Sequence, residues 1–486
     1  MRTKVIIHYL GLIIACLGLA MLVPLICSLW YREPDLVPFL ISAATCGVIG
    51  TLLWRLIPVR KVGLSRREAL VLVAGAWILI SAFGALPYML AGVFTSYVDA
   101  YFEAMSGYTT TGATVLTSIE TQYHGILLWR NFTQWLGGMG IITLFVALFP
   151  LLGMGAAHLV EAEVPGPQTE QVTARIRDTA KVLWYLYVGF SVLEVISLRI
   201  AGMPLFDAIT VTMGTMPTGG FTPTNLSIAA YQSATIEGIV TLFMAIAGVN
   251  FALYYFLLWK RQPRQVFTNP EFRLYIAILV GGTLLVTLNL ARGMDLPFGE
   301  AFRYSSFQVV SIMTTTGFVT ADFNVWPAFA RAALLILMII GASAGSTGGA
   351  LKVTRVLVLA KHAYRRIILI FSPRAVIPLK LGKNTLPEGV VSRILAMAFL
   401  YFAILVAGFL IMSALGLDQV TALSSVAATL GNVGPGLGLV GPVENYAFLP
   451  SLGKIVLTVC MLAGRLELFT ILVLFSPAFW RWRKTS

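Results

Sequence analysis

Four short loops, each with a glycine at the same place, carry the residues whose types and spacing could do chemistry. The loops read TTTGAT at 109–114, PTGGFT at 217–222, TTTGFV at 314–319 and GNVGPG at 431–436. The aligned glycines are separated by 108, 97 and 117 residues and are Gly112, Gly220, Gly317 and Gly434. A small residue stands six positions before each of them, at Ser106, Gly214, Ser311 and Ala428. This spacing indicates an internal repeat of one structural unit.

Loops of this kind can replace the water around a cation. A monovalent cation that enters a low-dielectric region loses hydration worth on the order of 20 kcal/mol. Backbone carbonyl oxygens can substitute for that water if several of them turn toward one axis, and glycine permits the unusual backbone angles that this requires. A short helix before each loop would point its negative end at the axis and favour cations over anions. The four loops therefore predict a ring that passes a monovalent cation.

The elements that must position these loops are membrane spans. The chain has 486 residues, of which 58% are hydrophobic and 11% charged, whereas roughly a quarter of the residues in soluble proteins are charged. Apolar stretches of about 20 residues recur, and each is long enough to cross a hydrocarbon core of roughly 30 Å as a helix. We predict an all-α integral membrane protein with ten spans, at 5–30, 36–57, 71–94, 125–150, 182–202, 236–259, 274–292, 329–360, 391–416 and 451–476.

After two leading spans, one unit occurs four times: an apolar span, a short segment, a glycine loop and a second apolar span. The short segments, 98–114, 204–222, 297–319 and 417–436, cannot cross the membrane, so we predict re-entrant helices that lead into the loops. Asp99, Asp207 and Asp418 lie near three helix starts, where a carboxylate suits the positive end of the dipole. The predicted divisions are 1–60 for the leading helices and 61–165, 166–262, 263–382 and 383–486 for the four pore units.

The placement of basic residues predicts the topology. The net charge of +13 arises from residues between the spans rather than on a polar domain, which argues against a nucleic-acid partner. With the N-terminus inside, about 26 of the 34 Lys and Arg residues lie in cytoplasmic segments, so we expect both termini in the cytoplasm. The apolar run from Val5 to Trp30 is longer than the apolar core of a signal peptide and is interpreted as a retained span. The polar stretch 161–181 is interpreted as a cytoplasmic connector, and the basic segment 361–393 either docks a regulatory ring or simply marks the cytoplasmic side.

Several further residues have two open interpretations. The run GASAGSTGGALK at 341–352 cannot hold a regular helix well, and it either packs helices closely or forms a gate. Arg465 is costly inside a span and either forms a structural pair, with Glu467 or another group, or forms a barrier to permeating cations. Lys454 is expected to reach toward the outer surface. Glu103 and Glu120 either concentrate cations at the mouth of the loops or lie solvated at the surface.

The four loops resemble the pore loops of the Trk/Ktr/HKT superfamily of potassium transporters, and the two leading spans are similar to those of its TrkH branch. The resemblance covers nearly the whole chain. It implies four membrane–pore-loop–membrane repeats around a central pore, a homodimer in membrane lipid, and a cytosolic TrkA-like ring of nucleotide-binding RCK domains. The implied function is potassium uptake across the bacterial cytoplasmic (inner) membrane, with K⁺ as the transported ion and no organic cofactor in this chain.

The resemblance also assigns site residues. The implied selectivity filter, which would bind potassium, comprises Thr110, Thr111, Gly112, Thr218, Gly219, Gly220, Thr315, Thr316, Gly317, Asn432, Val433 and Gly434. The implied intramembrane gate comprises Gly341, Ala342, Ser343, Ala344, Gly345, Ser346, Thr347, Gly348, Gly349 and Arg465. Each loop aligns on one glycine where tetrameric potassium channels have two, which implies fewer ordered ion sites. Gly112 stands where a serine is associated with sodium permeation in related plant transporters, so it favours potassium.

Other classes of protein fit less well. The chain has no HExxH, GxSxG or clustered carboxylates, so an enzyme is not expected, and its four cysteines and four histidines lack metal-binding spacing. The GSTGG run lacks the GK[ST] ending of a phosphate-binding loop. A proton- or sodium-coupled solute carrier with broken helices is the main rival, but it predicts two inverted halves rather than four units. Channel-like conduction and ion-coupled transport both remain open.

Overall fold

The computed structural model describes residues 1–57, 59, 64–151, 171–382 and 384–480. The longer helices in these ranges are α1 Thr3–Ala20, α2 Leu22–Tyr31, α3 Leu36–Leu56, α4 Arg66–Gly84, α5 Leu86–Leu90, α6 Tyr97–Tyr108, α7 His124–Leu151, α8 Gln171–Ile200, α9 Leu205–Thr215, α10 Ala234–Ala247, α11 Phe251–Tyr254, α12 Pro263–Phe267, α13 Pro270–Gly293, α14 Phe298–Met313, α15 Ala328–Ile340, α16 Val353–Phe371, α17 Glu388–Ala414, α18 Gln419–Leu430, α19 Ser451–Arg465, α20 Leu468–Phe475 and α21 Pro477–Trp480. Short 3₁₀ or π turns lie at Ser227–Tyr231, Tyr255–Trp259, Phe323–Val325 and Gly438–Val440.

Long apolar helices dominate the structure. In the described ranges, six stretches are long and apolar enough to cross a membrane: Thr3–Tyr31, Leu36–Leu56, Arg67–Leu90, Lys181–Ile200, Pro270–Gly293 and Glu388–Ala414. A seventh, Ala234–Ala247 with Phe251–Trp259, is bent by 95°. The predicted all-α membrane fold is confirmed, apart from one small antiparallel hairpin of β1 (Lys380–Leu381) and β2 (Asn384–Thr385) with Lys380 opposite Thr385.

Four helices are too short to span and lead into the glycine loops. They are α6, α9, α14 and α18, with 12, 11, 16 and 12 residues. Asp99 and Asp207 lie in the first turns of α6 and α9, and Oδ2 of Asp418 accepts the backbone N–H groups of Val420 and Thr421 at 3.0 and 3.1 Å. The carboxylates therefore lie at helix starts as predicted, and Glu300 in the first turn of α14 supplies the fourth.

The second span of a unit is broken more often than the sequence predicts. The expected break at 341–352 is present between α15 and α16. The spans predicted at 236–259 and 451–476 are also broken. In the first, α10 ends at Ala247, and Asn250 starts α11 because its Oδ1 accepts the Ala252 N–H at 2.9 Å. Glu467 separates α19 from α20 by adopting a left-handed φ of 57°.

Buried apolar side chains hold the units together in two large clusters. One joins the leading helices and the first and fourth units around Phe102, Trp129 and Met461. The other joins the second and third units around Tyr275 and Phe307. Of the predicted connector 161–181, residues 161–170 lie outside the described residues, as does the predicted unit boundary at 165; the chain is helical from Gln171 onward. Residues 58 and 60–63 of the basic segment 55–67, and all of the basic segment 481–484, also lie outside them.

Candidate functional site

The four glycine loops, 109–114, 217–222, 314–319 and 431–436, form a closed ring. A Cβ atom added to Gly112 would collide with the carbonyl oxygen of Gly219 in the second loop. A Cβ atom added to Gly220 would collide with the carbonyl oxygen of Thr316 in the third loop, and one added to Gly317 with that of Val433 in the fourth. A Cβ atom added to Gly434 would lie 2.6 Å from the carbonyl oxygen of Thr111 in the first loop, which closes the ring. Each glycine thus allows a close approach to the next loop that a side chain would prevent.

The loops also share one backbone conformation. The residues two positions before the glycines are not glycine but have left-handed φ angles of 51°, 56°, 61° and 53°, at Thr110, Thr218, Thr315 and Asn432. The glycines have φ angles of 79°, 80°, 81° and 100°. A β-branched threonine is strained in this region, and such strain persists only where the surrounding structure enforces it. Its recurrence in three loops indicates a functional constraint.

The small residues six positions before the glycines anchor each loop to its helix. Their carbonyl oxygens accept a hydrogen bond from the N–H group just before the glycine. The donor–acceptor pairs are Thr111–Ser106 at 2.8 Å, Gly219–Gly214 at 2.8 Å, Thr316–Ser311 at 2.8 Å and Val433–Ala428 at 2.7 Å. A side chain at Gly214 would approach the Phe221 carbonyl oxygen to 2.6 Å, so the position is also crowded.

Side-chain oxygen atoms remain free in the ring. Oγ1 of Thr110 and Oδ1 of Asn432 are buried and have no hydrogen-bond partner. The Asn432 amide nitrogen donates to Oγ1 of Thr111 and to the Met461 carbonyl oxygen, both at 2.9 Å. Buried oxygens without partners are costly, and at a functional site they are available to a ligand. Together with the loop carbonyls they form a candidate binding site for a cation.

A buried ion pair braces the first two loops, and sequence reasoning missed its role. Nε of Arg130 on α7 lies 2.6 Å from Oε1 of Glu103 on α6, and neither side chain is more than 2% exposed. Arg130 also donates to the Thr222 carbonyl oxygen at 3.0 Å, while Glu103 accepts the Val115 N–H at 2.9 Å. The interpretation of Glu103 as a solvated surface residue was therefore wrong, because its side chain is buried and ion-paired. Glu120, for which the sequence left the same two interpretations open, accepts the Asn225 N–H at 2.6 Å.

Two further polar residues on α7 hold the second loop. Gln134 donates to the Gly219 carbonyl oxygen at 2.7 Å and accepts the Phe221 N–H at 3.0 Å. Asn131 donates to the Phe221 carbonyl oxygen at 2.7 Å. The sequence carried a signal for this group, since Arg130, Asn131 and Gln134 are polar residues spaced on one helical face inside an apolar span.

The small-residue segment, 341–352, lies directly against the ring. The Gly349 N–H donates to Oγ1 of Thr315 at 2.9 Å. The Thr347 hydroxyl donates to the Met216 carbonyl oxygen at 3.1 Å. A Cβ atom at Gly349 would collide with the Gly431 carbonyl oxygen, so close packing and contact with the loops occur together here.

The break in the second unit supports this segment. The Ser343 N–H donates to the Gly248 carbonyl oxygen and the Phe251 N–H to that of Gly345, both at 3.1 Å. Oε1 of Glu271 accepts the Ala344 N–H at 2.6 Å from the start of α13. The segment is therefore held by specific hydrogen bonds to neighbouring elements.

Arg465 reaches from α19 to the small-residue segment. It donates to the Thr347 carbonyl oxygen at 2.6 Å and to that of Gly137 at 3.3 Å, and it is 4% exposed. The alternative of an Arg465–Glu467 pair was wrong, because Glu467 binds Arg355 at 2.7 Å and Lys352 at 3.5 Å. Arg465 is therefore a buried cation whose neutral partners are backbone carbonyl groups.

Two cavities lie near the ring. The cavity beside the ring, here called the upper cavity, touches all four loop glycines and is also lined by Arg130, Glu444 and Tyr446, whose hydroxyl donates to the Gly434 carbonyl oxygen at 2.7 Å. The cavity beside the small-residue segment, here called the lower cavity, is lined by Gly349, Lys352, Arg355, Arg465 and Glu467 among others. Three cations and one carboxylate surround the lower cavity.

Ion pairs also join neighbouring units. Lys454, expected to reach the surface, is instead buried and lies 2.6 Å from Oδ1 of Asp99, which joins the fourth unit to the first. That prediction was wrong because a carboxylate within reach satisfies the ammonium group inside the protein. Glu237 on α10 likewise binds Arg303 on α14 at 2.6 Å and joins the second unit to the third.

A multi-pass helical fold with four short helices that lead into a closed ring of loops defines an integral membrane protein of the cation-transporter class. The family model TrkH, described as "Cation transport protein", matches residues 37–482. The chain belongs to the TrkH family of cation transport proteins. This membership confirms the prediction of a transporter rather than an enzyme.

The chain is similar to named members of this family over its whole length. It is 38% identical to "Trk system potassium uptake protein TrkH" of Halomonas elongata, over 99% of this chain and 100% of that protein. It is 30% identical to "Trk system potassium uptake protein TrkG" of Escherichia coli, over 99% of both. The crystal structure of the potassium transporter TrkH from Vibrio parahaemolyticus superposes with a TM-score of 0.91 at 36% identity, covering 99% of this chain and all of that one.

Proposed function

We propose that this protein takes up potassium ions across the bacterial cytoplasmic membrane through the ring formed by its four glycine loops. The closed ring, in which each glycine abuts a carbonyl oxygen of the next loop, supports this function most directly. Potassium as the ion is supported by the similar Halomonas and Escherichia proteins, which are named potassium uptake proteins. K⁺ is the transported ion, and we propose no organic cofactor for this chain.

The selectivity filter comprises the central residues of the loops. Free oxygens at Thr110 and Asn432 and the strained backbone that recurs in all four loops support this assignment. The short helices end at the ring and add a negative field that favours a cation. The proposed filter residues are Thr110, Thr111, Gly112, Thr218, Gly219, Gly220, Thr315, Thr316, Gly317, Asn432, Val433 and Gly434.

The gate comprises residues 341–349 together with Arg465. The hydrogen bonds of Gly349 to Thr315 and of Arg465 to Thr347 support a closed state in which the segment lies under the ring. An excess of positive charge around the lower cavity raises the energy of a permeating cation, because opposing charges are weakly screened away from water. Displacement of the segment and of the guanidinium group opens the path.

Orientation and partners follow from the basic segments and the family. Both termini and the basic segment 361–393 face the cytoplasm, in agreement with the positive-inside rule. The protein forms a homodimer, and a cytosolic TrkA-like RCK ring controls the gate. The words "Trk system" in the names of similar proteins support a multi-component assembly. The four pore units are 61–165, 166–262, 263–382 and 383–486, after leading helices in 1–60.

Tracer flux tests this function. The purified full chain in potassium-loaded liposomes is expected to take up labelled rubidium, and excess potassium is expected to inhibit that uptake far more than excess sodium. Liposomes without protein give the background. Uptake that requires a second ion or an organic solute would instead favour a coupled carrier, and absence of uptake with and without the cytosolic ring would overturn the proposal.

A further inference from the structure

The lower cavity lies where two helix breaks meet. One break separates α15 from α16 and ends at Lys352, and the other separates α19 from α20 at Glu467. Both residues line the cavity, and Nζ of Lys352 lies 3.5 Å from Oε1 of Glu467. They have left-handed φ angles of 74° and 57°, although neither is glycine. Strained backbone of this kind is common at ligand sites, where the surrounding structure enforces it.

Backbone hydrogen bonds hold Lys352 at the start of α16. Its N–H donates to the Ile340 carbonyl oxygen at 2.8 Å, and its own carbonyl oxygen accepts the Arg355 and Val356 N–H groups at 3.1 and 3.2 Å. α16 has 19 residues, and the Lys352 side chain does not cap it. The positive end of the helix dipole therefore lies beside the cavity, where it favours an anion.

The charged side chains around the cavity are mostly cationic. Of its described lining residues, Lys352, Arg355 and Arg465 are basic and Glu467 alone is acidic. Lys352 and Arg355 are no more than 15% exposed, and both contact the Glu467 carboxylate. Within the described part of the chain, one carboxylate at the cavity thus faces three cations. Positive charges held together away from water repel one another, and an anion among them reduces that cost.

Arg465 supplies a hydrogen-bond donor that has no acceptor. Its two terminal nitrogen atoms donate to the carbonyl oxygens of Thr347 and Gly137 at 2.6 and 3.3 Å. Its Nε is buried and has no hydrogen-bond partner among the described residues. A buried guanidinium N–H without a partner is costly, and a charged acceptor satisfies it best. Because Arg465 lines the cavity, an anion there can accept this N–H group.

The size of the cavity limits the occupant. There is room for little more than one water molecule or one ion of that size. A chloride ion meets this limit, whereas phosphate and organic carboxylates are larger. A monatomic anion also accepts hydrogen bonds from several directions, which suits donors on two different helices.

We propose, resting on the function proposed above, that the lower cavity binds one chloride ion beside the gate. The cavity adjoins the ring, because its lining residue Gly349 donates to Oγ1 of Thr315 at 2.9 Å. The chloride ion offsets one of the excess positive charges and lowers the barrier that they present to a permeating cation. By linkage, a cation near the gate strengthens chloride binding by the same factor.

Anomalous diffraction from crystals soaked in bromide tests the site itself. Bromide is expected beside Lys352 and Arg465 in wild type. Lys352→Met removes one cation but leaves Arg355 paired with Glu467, and it should lose the bromide peak. Lys361→Met is the matched control, because it makes the same change on α16 at a residue that does not line the cavity, and it should keep the peak.

Exchange of labelled rubidium into potassium-loaded liposomes tests the linkage. The flux of wild type and of Lys361→Met is expected to be about fivefold or more higher in chloride than in gluconate, which is too large for the cavity. Lys352→Met should have equal flux in the two salts. Arg465→Met should also have equal flux in them, and it serves as the second variant if Lys352→Met does not fold.

The outcomes separate this proposal from the proposed function. Absence of bromide from the lower cavity of wild type would overturn the site. Equal wild-type flux in the two salts, or a chloride effect that persists in both Lys352→Met and Arg465→Met, would overturn the linkage. These results would leave the proposed function standing as long as rubidium enters the liposomes. Absence of rubidium uptake in wild type would overturn that function and the linkage, while the bromide peak would still decide the site.

Discussion

Gly317 illustrates how little space the four glycine loops leave for a side chain. Its φ of 81° is unfavourable for other residues, and a Cβ atom would collide with the Val433 carbonyl oxygen. We expect Gly317→Ser to push the third and fourth loops apart and to lower the preference for rubidium over sodium about tenfold or more, since each ~1.4 kcal/mol of lost discrimination is a factor of ten. Competition of the two ions in the liposome uptake assay measures this.

Gly299→Ser is the matched control for that change. Gly299 lies at the start of α14, and no atom lies within 4 Å of a Cβ added there. Rubidium preference in this variant should equal that of wild type. The same preference in Gly317→Ser would contradict a filter role for the third loop.

Arg465 tests whether charge closes the path. Replacement by methionine keeps an apolar stem but removes a buried cation beside the lower cavity. We expect Arg465→Met to raise rubidium flux without the cytosolic ring about tenfold, because removing ~1.4 kcal/mol of barrier has that effect. Arg465→Lys keeps the charge and should stay near wild type. Equal flux in Arg465→Met and wild type would indicate that the residue has only a structural role.

A substitution of Glu103 tests whether its ion pair with Arg130 stabilises the protein behind the first two loops. Glu103→Gln leaves Arg130 buried without its charge partner, which should cost about 3–5 kcal/mol of stability and lower the melting temperature in detergent. Glu388→Gln changes an ion pair whose carboxylate is 73% exposed, and it should have little effect. Equal melting temperatures for the two variants would contradict a stabilising role of the Glu103–Arg130 ion pair.

At the residue scale, the sequence predicted the residues of the four glycine loops better than the buried polar residues that hold those loops. The loop residues could be aligned because the unit repeats, so each glycine predicted the others. The braces could not be found in this way, because Arg130 contacts partners 27 and 92 positions away along the chain. The neighbours of a buried polar group depend on the order of the units in space.

At the element scale, the small-residue segment is tied to the ring through Gly349. A methyl group there would collide with the Gly431 carbonyl oxygen and weaken the hydrogen bond from Gly349 to Thr315. We expect Gly349→Ala to displace the segment and to raise rubidium flux several-fold, which corresponds to a barrier to ion passage that is lower by ~1 kcal/mol. Flux through liposomes without the cytosolic ring measures this change.

Gly389→Ala provides the control, because Gly389 at the start of α17 has no atom within 4 Å of an added Cβ. Its flux should equal that of wild type. If Gly349→Ala gave the same flux as this control, the segment would not act as a gate.

Helix breaks differed in how well they could be predicted. The run at 341–352 contains several glycines, and its low helix propensity predicted the break. The breaks at Asn250 and Glu467 lie in segments with ordinary composition. They form because a side-chain cap and ion pairs to Lys352 and Arg355 stabilise them in the folded protein.

At the scale of the whole molecule, ion pairs join parts of the chain that lie far apart in the sequence. Lys454 binds Asp99 between the last unit and the first, and Glu237 binds Arg303 between the second and the third. Two apolar clusters fill the space behind these pairs. The division into four units on a common plan stays a prediction. The sequence did not predict these junctions, since each depends on side chains far apart in the chain.

Anomalous diffraction from crystals soaked in rubidium tests most directly whether the four loops bind the transported ion. We predict rubidium on the axis of the ring, beside Gly112, Gly220, Gly317 and Gly434, and reduced occupancy there in Gly317→Ser. The same soak of Gly299→Ser should match wild type. An ordered rubidium ion elsewhere in the protein, with none in the ring of a wild-type protein that transports rubidium, would contradict it.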